Sequence, residues 1–308
     1  MKRKIAVLGI GGIGGFIGFQ LAKFYNSRPN TEIIFITRGA AYDQIKNEGL
    51  MLEQASGTSH VFPGQVIREA SECGTVDVLI IASKSHSLLS ALRDYQTIIK
   101  DTTVVLTLQN MVNASELLQK NFKEINHILE GCIYVSSNIK APGFISHKGG
   151  PGLIYVGGKD NEYTGRAIMN LLDAGVRVEF RKDIRNALWS KFPFVSPVSV
   201  VTAAYNISFG EILEDQEVKA ITRGLMEEVY RLAQKEGVLL EKNAVDQALN
   251  KLYSFPYTTQ TSFQLDYLSE RNTEQEFLLD FVIERSREYR LDTPLYKMVT
   301  SHLNLVKR

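Results

Sequence analysis

Five glycines fall within seven residues, Gly9-Ile-Gly11-Gly12-Ile-Gly14-Gly15, directly after the apolar run Ile5-Ala-Val-Leu8. No other stretch constrains the fold as much. The run reads as a buried strand, the glycines as a tight turn, and Gly12 to Tyr25 as a helix. At a strand–turn–helix junction, the first glycine of a G-x-G-x-x-G spacing permits the turn. The second lets backbone approach a pyrophosphate, and the third lets the helix pack closely on the strand. The helix then offers its free N–H groups and the positive end of its dipole to an anion. Gly9, Gly11, Gly12 and Gly14 are therefore candidate dinucleotide-binding residues.

The rest of the first half repeats this alternation. Strand signals at Lys4–Leu8, Glu32–Thr37, Val76–Ser83 and Thr102–Leu108 are separated by helical patterns such as His86–Ile98. Continuous apolar runs suit parallel strands buried on both faces. Three β-rich pieces, His127–Ser136, Gly143–Lys148 and Leu153–Gly157, suggest an antiparallel extension. A helix at Tyr163–Ala174 and a strand at Arg177–Phe180 close this half. From Asp183 onward strand signals stop. Val218, Ile221, Leu225, Val229 and Leu232 mark an amphipathic helix over Glu217–Glu236, ended by Gly237. Asn272-Thr273 reads as the cap of another, with Phe277, Leu278, Phe281 and Val282 buried, and Thr293-Pro294 as the start of a last one. The expected class is α/β: an N-terminal Rossmann-type doubly wound parallel sheet (residues 1–181) and an all-α C-terminal domain (residues 182–308).

Composition narrows the partners. At 308 residues, with 44% hydrophobic and 22% charged residues, the chain has the profile of a soluble globular protein. A net charge of +1 argues against a nucleic-acid footprint. Two cysteines, Cys73 and Cys132, make no disulfide framework and fit a reducing cytoplasm, and five scattered histidines show no metal-ligand spacing. Lys2-Arg3-Lys4 before an apolar stretch imitates a signal peptide, but the glycines interrupt it and no small-residue cleavage site follows. No apolar run approaches the roughly 20 residues of a membrane span.

In an NAD-binding unit of this kind an acidic residue ends the second strand and binds the ribose 2′-hydroxyl. Here that strand ends Phe35-Ile-Thr-Arg38 with no acid. A guanidinium suits the 2′-phosphate of NADP, which it grips with paired hydrogen bonds; the alternative is a solvated surface arginine. Lys84 and Gln109-Asn110 follow two further strands, at the carboxyl end of the sheet where such folds bind ligands, and position alone leaves them as loop residues or ligand contacts. Lys191, in Ile184-Arg-Asn-Ala-Leu-Trp-Ser-Lys191, and Glu274, at the start of a later helix, are by spacing alone residues of solvated faces.

Together these segments resemble the ketopantoate reductase (2-dehydropantoate 2-reductase) family over nearly the whole chain. The resemblance rests on the order and spacing of Gly9-x-Gly11-x-x-Gly14, Arg38, Lys84, Leu108-Gln-Asn110, Ile184-Arg-x-x-Leu-Trp-x-Lys191, Gly210-Glu211 and Asn272-Thr-Glu274. It implies NADPH-dependent reduction of a 2-oxo acid, ketopantoate to pantoate, on the way to pantothenate and coenzyme A. It makes Lys191 the general acid and gives Glu274 the substrate hydroxyl and the orientation of the lysine. Ser262 would meet the substrate carboxylate. Lys84 and Asn110 would line the cofactor and substrate cleft, and a homodimer is compatible with it.

The chain also departs from the family. Asparagines expected one and two turns after the lysine are Val195 and Ser199, and one expected before Gly210 is Phe209. Glycines expected after Gln109-Asn110 and six residues after Glu274 are Met111 and Asp280. Ser199 becomes the candidate substrate contact. Pro193 and Pro197 are expected to disturb the helix, and a register shift of three would put Ser196 at one asparagine position. A reductase of another 2-oxo acid, or a non-catalytic NADP-sensing protein, stays open as an alternative.

Overall fold

The structure, a computed structural model, describes residues 2–306. They form two compact units. One runs through Gln109 and resumes over Asn113–Ile184; the other takes Asn110–Val112 and everything described from Arg185 on.

The first unit is a ten-stranded sheet. Its strands are β1 (Arg3–Leu8), β2 (Thr31–Ile36), β3 (Leu50–Gln54), β4 (Gly57–Val61), β5 (Gln65–Ile67), β6 (Val76–Ile81), β7 (Ile99–Thr107), β8 (His127–Ala141), β9 (Phe144–Gly158) and β10 (Arg177–Phe180). Helices α1 (Gly12–Tyr25), α2 (Gly39–Glu48), α3 (Leu88–Asp94), α4 (Ala114–Asn121) and α5 (Glu162–Asp173) connect them. The order is β4-β3-β9-β8-β7-β6-β1-β2-β5, with β10 on β9. From β5 to β8 every neighbour is parallel. The antiparallel pairs are β8 with β9 and β3 with β4.

Two of the three expected β-rich pieces prove to be one strand. Gly149, Gly150 and Gly152 have positive φ and lie inside β9, where the pairing with β8 slips, so the glycines mark bulges rather than breaks. The expected helix over His86–Ile98 is shorter: α3 is flanked by 3₁₀ turns at Ser85–Ser87 and Gln96–Ile98.

Helix α1 is gripped from two sides, and the sheet curls about it. A Cβ on Gly18 would lie 2.9 Å from the Phe35 ring of β2, and one on Gly15 would press on Ile145 of β9. Ile17, Phe19, Leu21 and Phe35 around it are almost wholly buried. Each such side chain contributes roughly 1.5–3 kcal/mol over an exposed one. Packing therefore fixes this helix, whose N-terminus carries the glycine turn.

The second unit is helical: α6 (Ile184–Tyr205), α7 (Phe209–Glu214), α8 (Gln216–Lys235), α9 (Ala244–Lys251), α10 (Ser262–Leu268), α11 (Phe281–Glu288) and α12 (Pro294–Val306). Helix α6 runs unbroken through Pro193 and Pro197, contrary to the expected disturbance. The prolines are four apart, so their two missing hydrogen bonds fall on one side of the helix, and both rings are buried. Tertiary packing of this helix, on which Trp189, Phe192 and Ser196 are almost wholly buried, outweighs a cost of about 3 kcal/mol per interior proline.

Helix α8 is capped by Asp215, whose carboxylate accepts from the N–H groups of Glu217 and Val218. The start of α12 is capped from a distance. Glu228 of α8 takes the N–H groups of Leu295 and Tyr296. Burial pushes the Glu228 carboxyl up, and those two donors pull it back. Ahead of α11 the chain makes a π-helical turn, Glu276–Asp280. Leu279 is fully buried there and Phe281 only half-buried, so the inserted residue rotates the apolar face expected for a regular helix.

Candidate functional site

In the first unit the parallel strands β2, β1 and β6 end on one edge, and three candidate features follow them directly. Gly9 has φ +91°, and a Cβ there would lie 2.7 Å from the nitrogen of Ser83, two residues past β6. A Cβ on Gly14 would overlap the Gly9 carbonyl oxygen, and one on Gly12 the carbonyl of Ser137. Around Gly11 the space is open: its nearest neighbour would be the Ile139 Cδ1 atom at 3.9 Å. No side chain caps α1 and no acid stands in its first turn, so its leading N–H groups have no side-chain competitor. The turn is thus closed where the chain crosses itself and open where an anion would approach, which fits a dinucleotide pyrophosphate.

Arg38 stands just before α2 on extended backbone. Its guanidinium meets the Asp94 carboxylate at 2.9 Å and lies 5.5 Å from the centre of the Tyr95 ring. Hydrogen bonds from the guanidinium to Asp94 and Tyr95 push its pKa up. Lys84 is half-buried ahead of the 3₁₀ turn, where its carbonyl accepts from the Ser87 N–H and hydroxyl.

In the second unit, the Lys191 ammonium donates to the Asn110 Oδ1 at 2.8 Å. The segment Asn110–Val112 leaves β7 only to pack with the helical unit, which is why residues 81 apart meet. Lys191, Val195 and Ser199 recur every four residues on α6 and so share one face. Val195 is half-buried and Ser199 is buried. Glu274 is 5% exposed, and its carbonyl accepts from the N–H groups of Phe277 and Leu278 to start the π-helical turn. Asp280 ends that turn, where burial pushes its carboxyl up against a hydrogen bond from Gln275. Met111 is 3% exposed. Ser262 opens α10 behind the Thr261 cap and is exposed.

Phe209 is buried, and its ring packs edge-on against Phe194 and Phe255, which stack on each other 5.7 Å apart. Gly210 beside it has no room for a side chain, because the Tyr257 ring covers it. Ser196 does not share the lysine's face. It is fully buried and bonds the Leu278 carbonyl and the Tyr296 hydroxyl. Among the described residues no group of three or more His, Cys, Asp or Glu could hold a metal ion, and no helix is long and apolar enough to cross a membrane.

The sequence offered Ser196 only as a shifted asparagine position, and spacing did not single out the ion pairs of Glu236 with Arg185 and Arg285. For Glu236 the signal was an acidic residue ending a helix, the position its dipole disfavours.

A family model described as "Ketopantoate reductase PanE/ApbA" matches residues 5–161, and its C-terminal counterpart matches residues 183–307. The chain belongs to the ketopantoate reductase family. An uncharacterized oxidoreductase of Bacillus subtilis (strain 168), YkpB, is 27% identical over 306 residues, covering 98% of each chain. A ketopantoate reductase structure from Ralstonia eutropha JMP134 superposes with a TM-score of 0.89 at 24% identity, covering 99% of this chain and 98% of that one. A D-mandelate dehydrogenase with NADH and anilino(oxo)acetate bound superposes at 0.85 with 20% identity, covering 98% of each. The fold and the oxidoreductase family are thereby fixed, and the solved structures of this fold include a D-mandelate dehydrogenase as well as ketopantoate reductases.

Proposed function

We propose that this chain is an NADPH-dependent reductase of a 2-oxo acid, with ketopantoate as substrate and pantoate as product, a step toward pantothenate and coenzyme A in the cytoplasm. The observation that carries the proposal is the Lys191–Asn110 hydrogen bond, an ammonium held in place by an amide. In this reading residues 1–181 hold the dinucleotide and residues 182–308 hold the substrate. Gly9, Gly11, Gly12 and Gly14 give the pyrophosphate its turn, Arg38 takes the 2′-phosphate, and Lys84 and Asn110 contact the cofactor. When bound, the dinucleotide supplies the hydride.

The chain's own residues handle the oxygen. The ketone oxygen gains negative charge as its carbon is reduced, and Lys191 donates a hydrogen bond to it and then a proton. Asn110 accepts one of the three ammonium protons. Glu274 receives the substrate hydroxyl and orients the lysine, Ser262 donates to the substrate carboxylate, and Ser199 contributes a hydroxyl from the same face of α6.

A second reading shares this mechanism but changes the acid. Val195 puts an apolar side chain one turn from Lys191, and Phe209 is locked into an aromatic cluster. Lost hydrogen-bond partners weaken selection for a hydroxylated substrate. Oxidation of NADPH by purified protein, followed with ketopantoate beside a panel of branched and aromatic 2-oxo acids, separates the readings. Turnover of ketopantoate above the panel supports the first. Turnover of another acid alone supports the second. NADPH binding with no turnover of any acid sinks both and leaves a nucleotide-sensing protein.

A further inference from the structure

Lys191 and Glu274 lie 83 positions apart on different elements, so their separation is set by how α6 packs on the helix that follows Glu274. That packing is antiparallel and in register at several points. Ser196 of α6 bonds the Leu278 carbonyl. One turn back, Phe192 meets Phe281, ring centres 6.2 Å apart, and Trp189 meets the same ring at 6.3 Å. At the start of α6, Arg185 pairs with Glu236, which also takes Arg285 of α11 at 2.5 Å. The sequence 196, 192, 189, 185 thus runs against 278, 281, 281, 285.

The middle of this seam is apolar and could slide; its ends are polar and directional. Ser196 acts on the π-helical turn itself, because the residue whose carbonyl it holds, Leu278, donates its own N–H to the Glu274 carbonyl. Glu236 is a carboxylate with only 4% of its side chain exposed, at the end of α8 where the helix dipole opposes it. Two guanidiniums, from α6 and α11, make it tenable, so it is satisfied only when both helices are in place.

We propose that Ser196 and Glu236 are positioning residues that pin the register of α6 on the π-turn and α11, and so set the geometry of the Lys191–Glu274 pair. Neither needs to touch the substrate. The proposal rests on the acid role given to Lys191 above. Tyr296 shares the Ser196 hydroxyl but sits on α12, so it serves packing and not the register.

The test compares Ser196→Ala, Glu236→Gln and Tyr296→Phe on whichever 2-oxo acid the wild-type protein turns over, with Lys191→Ala alongside. Ser196→Ala is expected to lower kcat by about 10- to 100-fold, the scale set by displacing a reacting group by an ångström or less. KM for the dinucleotide should stay unchanged. Glu236→Gln should move kcat the same way, and it stands in if Ser196→Ala does not fold. Tyr296→Phe should keep kcat near wild type, since the Ser196–Leu278 bond survives it. Folded Ser196→Ala and Glu236→Gln proteins with wild-type kcat would overturn the proposal, as would a Tyr296→Phe loss equal to that of Ser196→Ala. A Lys191→Ala protein as active as wild type would instead sink the acid role and leave the register question to be read from crystal structures of the two variants.

Discussion

On the proposed reading the two units solve the same problem, holding a polar group where a ligand needs it, by different means. In the glycine turn the work is done by backbone and by the absence of side chains: Gly14 must leave room for the Gly9 carbonyl. Around Lys191 it is done by side chains from far along the chain, with Asn110 on the ammonium and Ser196 on the Leu278 carbonyl. Steric sites of the first kind fail in one step. Positional sites of the second kind degrade by degrees.

The largest effect is therefore expected in the turn. Gly14→Val places atoms inside the Gly9 carbonyl, so binding of NADPH, read by its fluorescence, should be lost while the helical unit keeps its secondary structure. A variant that still binds NADPH as wild type would remove the steric half of the comparison. Next comes Lys191→Ala, which should lower kcat by about 10²–10⁴-fold, the usual contribution of a positioned acid. NADPH affinity should not change. A loss below tenfold would take the acid role from Lys191.

Arg38→Ala should be milder. Charge-assisted hydrogen bonds contribute about 1.5–3 kcal/mol, so NADPH should bind about 10- to 100-fold more weakly, with NADH little affected. Asp94 sharpens this test, because its carboxylate already holds the same guanidinium at 2.9 Å on an exposed surface. A 2′-phosphate must share Arg38 with that acid or displace it. Equal weakening of the two dinucleotides would mean that Arg38 serves Asp94 rather than the phosphate.

The contrast also explains what was legible in the sequence. Strands β1, β2, β6 and β7 are apolar runs buried on both faces, and the glycine turn is a local pattern, so both could be read from neighbours in the chain. Strands β3, β4 and β5 were not anticipated. Gly57–Val61 is largely exposed and holds one apolar residue, and Gln65–Ile67 is three residues long. Neither carries a period. The π-turn was hidden for another reason: Phe277, Leu278, Phe281 and Val282 fit a regular helix, and only the Ser196 bond from 82 residues away shows which carbonyl is held aside. The same applies to α12, where Pro294 marks the start but the cap comes from Glu228. The resemblance named Lys191 and Asn110, but only tertiary structure shows them bonded.

The smallest effect bears on the substrate. Val195 shares the Lys191 face of α6 and is half-buried, so an amide there meets water or ligand and not a packed core. Val195→Asn offers one additional hydrogen bond to a hydroxylated acid, a net gain of about 0.5–1.5 kcal/mol, or roughly 2- to 12-fold in kcat/KM for ketopantoate. Acids with apolar side chains should lose by a comparable factor, because the amide must be desolvated without a partner. Thermal stability should barely move. If both classes of substrate respond alike, Val195 does not face the substrate, and the selectivity of this chain lies outside the α6 face.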